Sequence, residues 1–452
     1  MKKTILRASL LALVMSLGVP AFGTPKKKQT VKKEEPKSLV DDVTYRQSGG
    51  TYYCYPYLTE TPPALTPAPE GYEPFHIEHY SRHGSRWLIG YKNYDRAYEI
   101  LNKADKAGKL TPLGEKVFQT VKQIREDVQK REGELSDNGA LQHKGIGKRM
   151  VQNFPQVFTP NTNIDAKSTV VIRSILSMFN GLNGIQSVVP DINIKTDASR
   201  ATMWYMDYDD TIAWNLRKKP KDEIKAFQQR HANKGEYLKK IINDPEYAKD
   251  SIGNKLFSSL FSVLINAQSH STQPWLAEEV FTPEEVRDQW QIRNVDWFLR
   301  SGNSKLTDNR VPYSQANVLN NIIESADTAL NSNNISVNLR YGHDTIVMPL
   351  TVLMELDNYG EEINDLEQVA ASGWHNYKVV PKAGNIQIIF YRRPGDLNPE
   401  DVLVKVLLNE KEVTLPIDRN NGPYYKWSDV RNYYKNKIKD YVTPNPVLED
   451  IE

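Results

Sequence analysis

Three short stretches of this 452-residue chain are rich in β-branched and aromatic residues and run into cationic or titratable side chains. FHIEHYS (75–81) enters RHGSR (82–86), STVVIRS (168–174) carries Arg173 at its end, and ISVNLRYG (335–342) enters His343 and Asp344. Helical patterns follow each: Tyr91 to Phe158 is mostly helical, a helix starts at Ile175, and HDTIVMPLTVLMEL (343–356) reads as another. Strands alternating with helices predict an α/β fold whose mainly parallel central sheet is flanked by helices.

One segment breaks the alternation. From about Arg200 to Asn309 the chain is charged, aromatic-rich and helical, with few strand signals. The expected organisation is therefore a split core, 39–199 and 310–452, with 200–309 as an inserted, mostly α-helical cap domain. Within the core, INIKTD (192–197) reads as a further strand. Val318, Ile322, Ala326 and Leu330, with Leu319 and Ile323, form one apolar helix stripe. NIQIIFYRR (385–393) and DVLVKVLLNEKEVTLPI (401–417) read as antiparallel edge strands, and WSDVRNYYKNKIKDYV (427–442) as a closing helix. The echoed segments GKLTPLGEK (108–116) and GELSDNGAL (133–141) place Thr111 and Ser136 as helix N-caps.

Residues 1–23 combine Lys2, Lys3 and Arg7, an apolar run from Leu10 to Val19, and Ala21-Phe22-Gly23. That is the pattern of a cleavable signal peptide, with export to the periplasm or medium as the expected outcome. No cysteine follows the apolar run to carry a lipid anchor, and no other apolar segment approaches the roughly 18 residues of a membrane span. Cys54 is the only cysteine, so no internal disulfide forms, and TYYCYPY (51–57) suggests that it packs among aromatics. The net charge is +2, of which residues 1–23 carry +3 and residues 24–38 carry +4, leaving −5 on residues 39–452. Residues 24–38 read as a basic, disordered linker. Nothing in this balance suggests nucleic-acid binding, and an anionic substrate must be drawn by a local cluster of cations.

Such a cluster is available. Sites in α/β sheets form beyond the carboxyl ends of strands. If the three strands are neighbours, Arg82, Arg86 and Arg173 bring three guanidiniums to one place, with the imidazoles of His83 and His343 and the carboxyl of Asp344. Forked guanidiniums suit phosphate, and the helix beginning at His343 adds free N–H groups. The arginine charges disfavour the His83 imidazolium and keep the ring nucleophilic, while Gly84 lets the backbone approach a ligand. A histidine nucleophile needs an acid opposite it, and Asp344 is the carboxyl at such a position. His76, Glu78, His79 and His83 make a poor metal site, because alternation sends His76 and Glu78 to one sheet face and His79 to the other. No metal or cofactor is expected.

SRHGSR, VIRS and GHDT, in a chain with a leader and a helical insertion, resemble the histidine acid phosphatases, the branch that contains phytases. The resemblance runs from about residue 75 to 440. It implies His83 as the phosphorylated nucleophile, Arg82, Arg86 and Arg173 as the phosphate clamp, His343 as a further phosphate ligand and Asp344 as proton donor. RHGSR and GELSDNGALQHKGIGKRMVQNFPQVF (133–158) are most similar to the multiple inositol polyphosphate phosphatases. Those enzymes typically carry HAE where this chain has His343-Asp344-Thr345, many relatives have proline where Leu88 stands, and the family's disulfides are absent. The expected partner is a small phosphorylated molecule, with phytate and its lower esters favoured by a basic wall at Arg217, Lys218, Lys219, Lys221 and Lys225. A broad-specificity acid phosphatase or sugar-phosphate phosphatase is the alternative. A phosphomutase fits poorly with export, and a mere anion-binding module needs neither His83 nor Asp344. The oligomeric state has no signature in the sequence.

Overall fold

The computed structural model describes residues 42–332 and 336–445; the expected signal peptide (1–23) and expected basic linker (24–38) lie outside them. Its strands form one mixed sheet: β1 (Glu73–Arg82), β2 (Asn163–Ser168), β3 (Asn193–Asp197), β4 (Ser336–Gly342), β5 (Asn385–Arg392), β6 (Leu403–Leu408), β7 (Lys411–Glu412) and β8 (Tyr425–Lys426). Their order is β3-β2-β4-β1-β5-β6-β7, with β8 also on β6. The pairs β3–β2, β2–β4 and β4–β1 are parallel, whereas β1–β5 and all pairs beyond it are antiparallel. Helices flank this mainly parallel core, as the alternation required.

Side chains of β1 and β4 sort by parity, as strand geometry demands. Ile77, Val337, Leu339 and Tyr341 pack with Met150, Met178, Leu182 and Ile185 on helices α3 (Asp137–Asn153) and α4 (Ile172–Gln186). On the other face Tyr80, and Phe75 beyond a register irregularity between Pro74 and His76, join the stripe of the helix Ala316–Leu330, whose Val318, Leu319, Ile322, Ile323, Ala326 and Leu330 are all buried. That face also carries a buried polar set. Glu78 accepts hydrogen bonds from Arg340 (2.5 Å), Asn338 (2.7 Å) and Ser325 (2.7 Å), and lies 3.0 Å from His76 Nε2. His79 points the opposite way, against Tyr341.

Two strand assignments change. STVVIRS is not a strand: β2 ends at Ser168, and Ile172 and Arg173 already lie in the first turn of α4. The apolar run that suggested a buried strand is partly exposed, with Ile172 at 70%. The real strand, NIDAKS, buries Ile164, Ala166 and Ser168, while Asp165 and Lys167 share its other face as an ion pair. β5 is not an edge strand either. It lies between β1 and β6 and is buried along nearly its whole length.

Thr111 and Ser136 do cap helices, accepting from Gly114 N (3.0 Å) and Gly139 N (3.3 Å). Apart from isolated bridges, described residues 200–309 hold helices and short helical turns. Their apolar side chains divide between two clusters. Tyr237, Phe257, Phe261 and Phe281 pack with Leu101, Val117 and Val121, whereas Phe227 and Phe298 join the cluster beneath the sheet. Among the described residues no helix is long and apolar enough to cross a membrane.

Candidate active site

The parallel register brings the carboxyl ends of β1, β2 and β4 level. Arg82 pairs with Gly342 and Ser168 with Tyr341, and His83 N extends the ladder by donating to Gly342 O (2.9 Å). The RHGSR loop is then pinned from behind. Gly84 N donates to Ser177 of α4 (3.1 Å), Ser85 N to Gln142 of α3 (2.9 Å), and Ser136 N to Ser85 O (2.9 Å). Gly84 is required by this packing: a Cβ there would lie 2.5 Å from Gly139 O and 2.6 Å from Gly139 Cα. Cys54 belongs to the same support. Its sulfur accepts from Gln142 Nε2 (2.9 Å) and lies 3.6 Å from Ser85 Oγ, polar contacts that the aromatic surroundings in the sequence did not suggest.

His83 is buried, and its Nδ1 lies 2.9 Å from the carbonyl oxygen of Gly84. A carbonyl only accepts, so the ring proton is on Nδ1 and the lone pair is on Nε2. Burial is the first cause, and the charges of Arg82, Lys382, Arg86 and Arg173 the next, of a pKa held well below the usual 6.5. The ring is a neutral base with one defined nucleophilic nitrogen.

The remaining expected residues surround it. Arg82 is fully buried and donates to Thr51 O (2.5 Å), Val380 O (3.0 Å) and the Asp344 carboxylate (2.5 Å). Arg86 donates to Trp87 O (2.8 Å) and lies over the ring of Tyr52 (5.4 Å). Arg173 reaches the group from the first turn of α4, not from a strand end, and its charge acts on both His83 and His343. Burial and then Arg86 bring the Arg173 guanidinium down to about 10. His343 caps the helix Asp344–Leu353, its ring 5.7 Å from that of His83. Its Nε2 is 3.1 Å from Thr169 Oγ1 and 3.6 Å from an Asp207 oxygen. Burial and Arg173 hold it down at about 4. For Asp344 burial opposes ionisation, but Arg82, Lys382 and Arg86 outweigh it and bring the carboxyl to about 2.

Residues without a legible signal also belong here. Lys382 sits buried in the turn after Pro381, and its charge acts on His83 and Asp344. Asp207, at the end of the short helix Met203–Met206, is raised to about 6 by burial, Asp344 and Asp209. It opens a cavity of about 660 Å³ with Thr345, Trp214, Trp297, Arg217, Lys218 and Arg300. Of the expected basic wall, Arg217 and Lys218 line this cavity. Lys221 lines a separate cavity, Lys219 pairs with Asp308 (2.5 Å), and Lys225 faces solvent. Among the described residues no cluster of His, Cys, Asp or Glu side chains is arranged to hold a metal ion.

A family model described as histidine phosphatase superfamily (branch 2) matches residues 76–409. No curated protein matches the sequence. Among solved structures, a Bifidobacterium longum multiple inositol polyphosphate phosphatase in complex with inositol hexasulfate is 17% identical, with a TM-score of 0.71 over 88% of this chain and 98% of that one. The phytase from D. castellii is 14% identical, with a TM-score of 0.62 over 87% and 85%. Klebsiella sp. ASR1 phytase is 13% identical, with a TM-score of 0.51 over 84% and 98%. At such identities the likeness is one of fold, and the family rests on the matched model. The chain belongs to branch 2 of the histidine phosphatase superfamily and is a phosphoric monoester hydrolase.

Proposed function

We propose that the protein cleaves phosphomonoesters through a phosphohistidine on His83, and that its preferred substrates are inositol polyphosphates such as phytate. The observation that carries the covalent step is the His83 ring itself, its Nδ1 proton tied to Gly84 O and its Nε2 free among Arg82, Arg86 and Arg173. The Nε2 lone pair attacks phosphorus, the P–O ester bond breaks, and the alcohol leaves with a proton. Asp344 supplies that proton. In the free enzyme Arg82 holds it ionised; a phosphoryl dianion beside it competes for Arg82 and raises its pKa toward the protonated form. Water then attacks the phosphohistidine, with Asp344 as base, and releases phosphate.

The polyphosphate preference rests on Arg217, Lys218 and Arg300 along the cavity that begins beside Asp344, within the helical segment we assign as a cap domain. The inositol hexasulfate complex of the Bifidobacterium relative favours the same class. A second reading has its own support, because Asp207, Asp209 and Asp210 line that cavity too and repel extra phosphates, which favours small monoesters. Catalytic efficiency on inositol hexakisphosphate and glucose 1-phosphate at two ionic strengths separates them. The first reading requires the hexakisphosphate to be favoured and to lose its advantage in salt; equal or better efficiency on the sugar phosphate sinks it. Export, read from residues 1–23, is tested by N-terminal sequencing of the native protein for cleavage after Gly23.

A further inference from the structure

The turn Pro381–Gly384 is sewn to the RHGSR loop by its backbone. Lys382 N donates to Tyr53 O (2.8 Å), Ala383 N to His83 O (3.1 Å), and Arg82 N to Gly384 O (2.8 Å). These bonds fix the Lys382 side chain inside the protein, where it is 0% exposed and its Nζ has no hydrogen-bond acceptor among the described residues. It lies over the ring of Tyr52, with the centroid 4.5 Å from Nζ; the same ring carries the Arg86 guanidinium at 5.4 Å. Of the charges felt by His83, and likewise by Asp344, only that of Arg82 exceeds that of Lys382. Lys382 thus stands electrostatically closer to the nucleophile than Arg86 or Arg173 does.

A buried amine with no acceptor is costly, and a chain serving only stability would place an apolar side chain there. The cost is recovered if an acceptor arrives with the substrate. We propose that Lys382 is a further ligand of the phosphoryl group, its three N–H donors directed at oxygens that bind between the arginines. The assignment rests on the phosphoryl site proposed above and adds a residue to it.

The groups facing Lys382 decide its charge. Burial first, then Arg82, Arg86 and Arg173, push its pKa well below the usual lysine value, with Asp344 opposing; His83, His270 and the Tyr52 ring complete its surroundings. The amine gives up its proton easily while the site is free of ligand, and a dianion placed against it reverses that balance. Binding of a tetrahedral dianion is therefore coupled to proton uptake at Lys382.

The test uses the full-length protein and tungstate, a tetrahedral dianion with no proton to gain at pH 8, titrated calorimetrically in two buffers of different ionisation heat. The wild type is expected to take up protons as tungstate binds, at Lys382 in addition to Asp344. Lys382→Met should take up fewer protons than the wild type, keeping only the uptake at Asp344, and bind roughly tenfold to a hundredfold more weakly, yet melt at a higher temperature without ligand. Lys382→Arg, which keeps a permanent charge, should bind with the same reduced proton uptake as Lys382→Met and covers the case in which the methionine variant does not fold. Wild-type affinity and proton uptake in Lys382→Met would overturn the assignment. Failure of the wild type to bind tungstate would overturn the phosphoryl site as a whole. Coupled binding in a protein that hydrolyses no phosphomonoester would support Lys382 as a ligand while refuting the proposed reaction.

Discussion

Gly84→Ala puts a methyl group where the fold leaves no room. The new Cβ would lie 2.5 Å from Gly139 O, whereas ordinary contact begins at 3.4 Å, so the gap must open by 0.9 Å. The atoms struck are backbone in the first turn of α3, which the Ser136 cap and the packing of α3 on α4 hold in place. The loop must therefore yield, and the loop carries His83 and Arg86. Overpacking of this kind costs about 1–3 kcal/mol, and a displacement near 1 Å at the reacting group costs on the order of a hundredfold in rate. The variant should melt a few degrees lower and lose roughly a hundredfold in kcat/KM on an aryl phosphate. Gly139→Ala meets the Ser85 carbonyl oxygen from the other side and should behave alike, whereas Gly90→Ala, with nothing within 4 Å of its Cβ, should resemble the wild type. Wild-type melting and kcat/KM in Gly84→Ala would refute the packing argument and return the glycine to ligand approach.

Stability should fall in mild acid. His79, His83, His143, His343 and His375 are buried and held below 6.5, first by burial and, for His83, His343 and His375, next by neighbouring arginine or lysine charges. Because their folded pKa values are depressed, the unfolded chain binds more protons below pH 6.5. Each then removes about 1.4 kcal/mol per pH unit as pH falls toward 4, and a urea midpoint constant from pH 7 to 5 would contradict this. Arg340→Met leaves the Glu78 carboxylate buried without its cation and should cost about 3–5 kcal/mol in urea unfolding, most of it recovered in Glu78→Met/Arg340→Met. Asp344→Asn should slow alkyl phosphates by about 10²–10⁴-fold and p-nitrophenyl phosphate far less, since only poor leaving groups need the proton; equal losses on both would remove Asp344 as donor.

How much the sequence disclosed depended on whether a signal was local. β1, β3 and β4 carry their own alternation, and the stripe from Val318 to Leu330 could only be a helix against a core. β2 escaped notice because Asp165 and Lys167 neutralise each other on one face, while the exposed Val170 and Ile172 mimicked a buried strand. β5 was misread as an edge because its sequence cannot reveal that β6 pairs beyond it. Arg82, His83, Arg86, His343 and Asp344 were found as contiguous motifs, and the parallel register of β1 and β4 brings them together. Arg173 was found from the wrong element. Lys382 and Asp207 had no motif, since what distinguishes them is their place beside residues distant in the chain, with Lys382 buried and Asp207 half-buried.

The covalent step is tested most directly by quenching the enzyme in alkali within its first turnovers on a phosphomonoester and mapping phosphate by mass spectrometry. The account requires an acid-labile, alkali-stable phosphoryl group on His83 that forms and decays at rates compatible with turnover, and that is absent from His83→Ala. An active enzyme with no phosphoryl group on His83 at any time, or activity retained in His83→Ala, would contradict it.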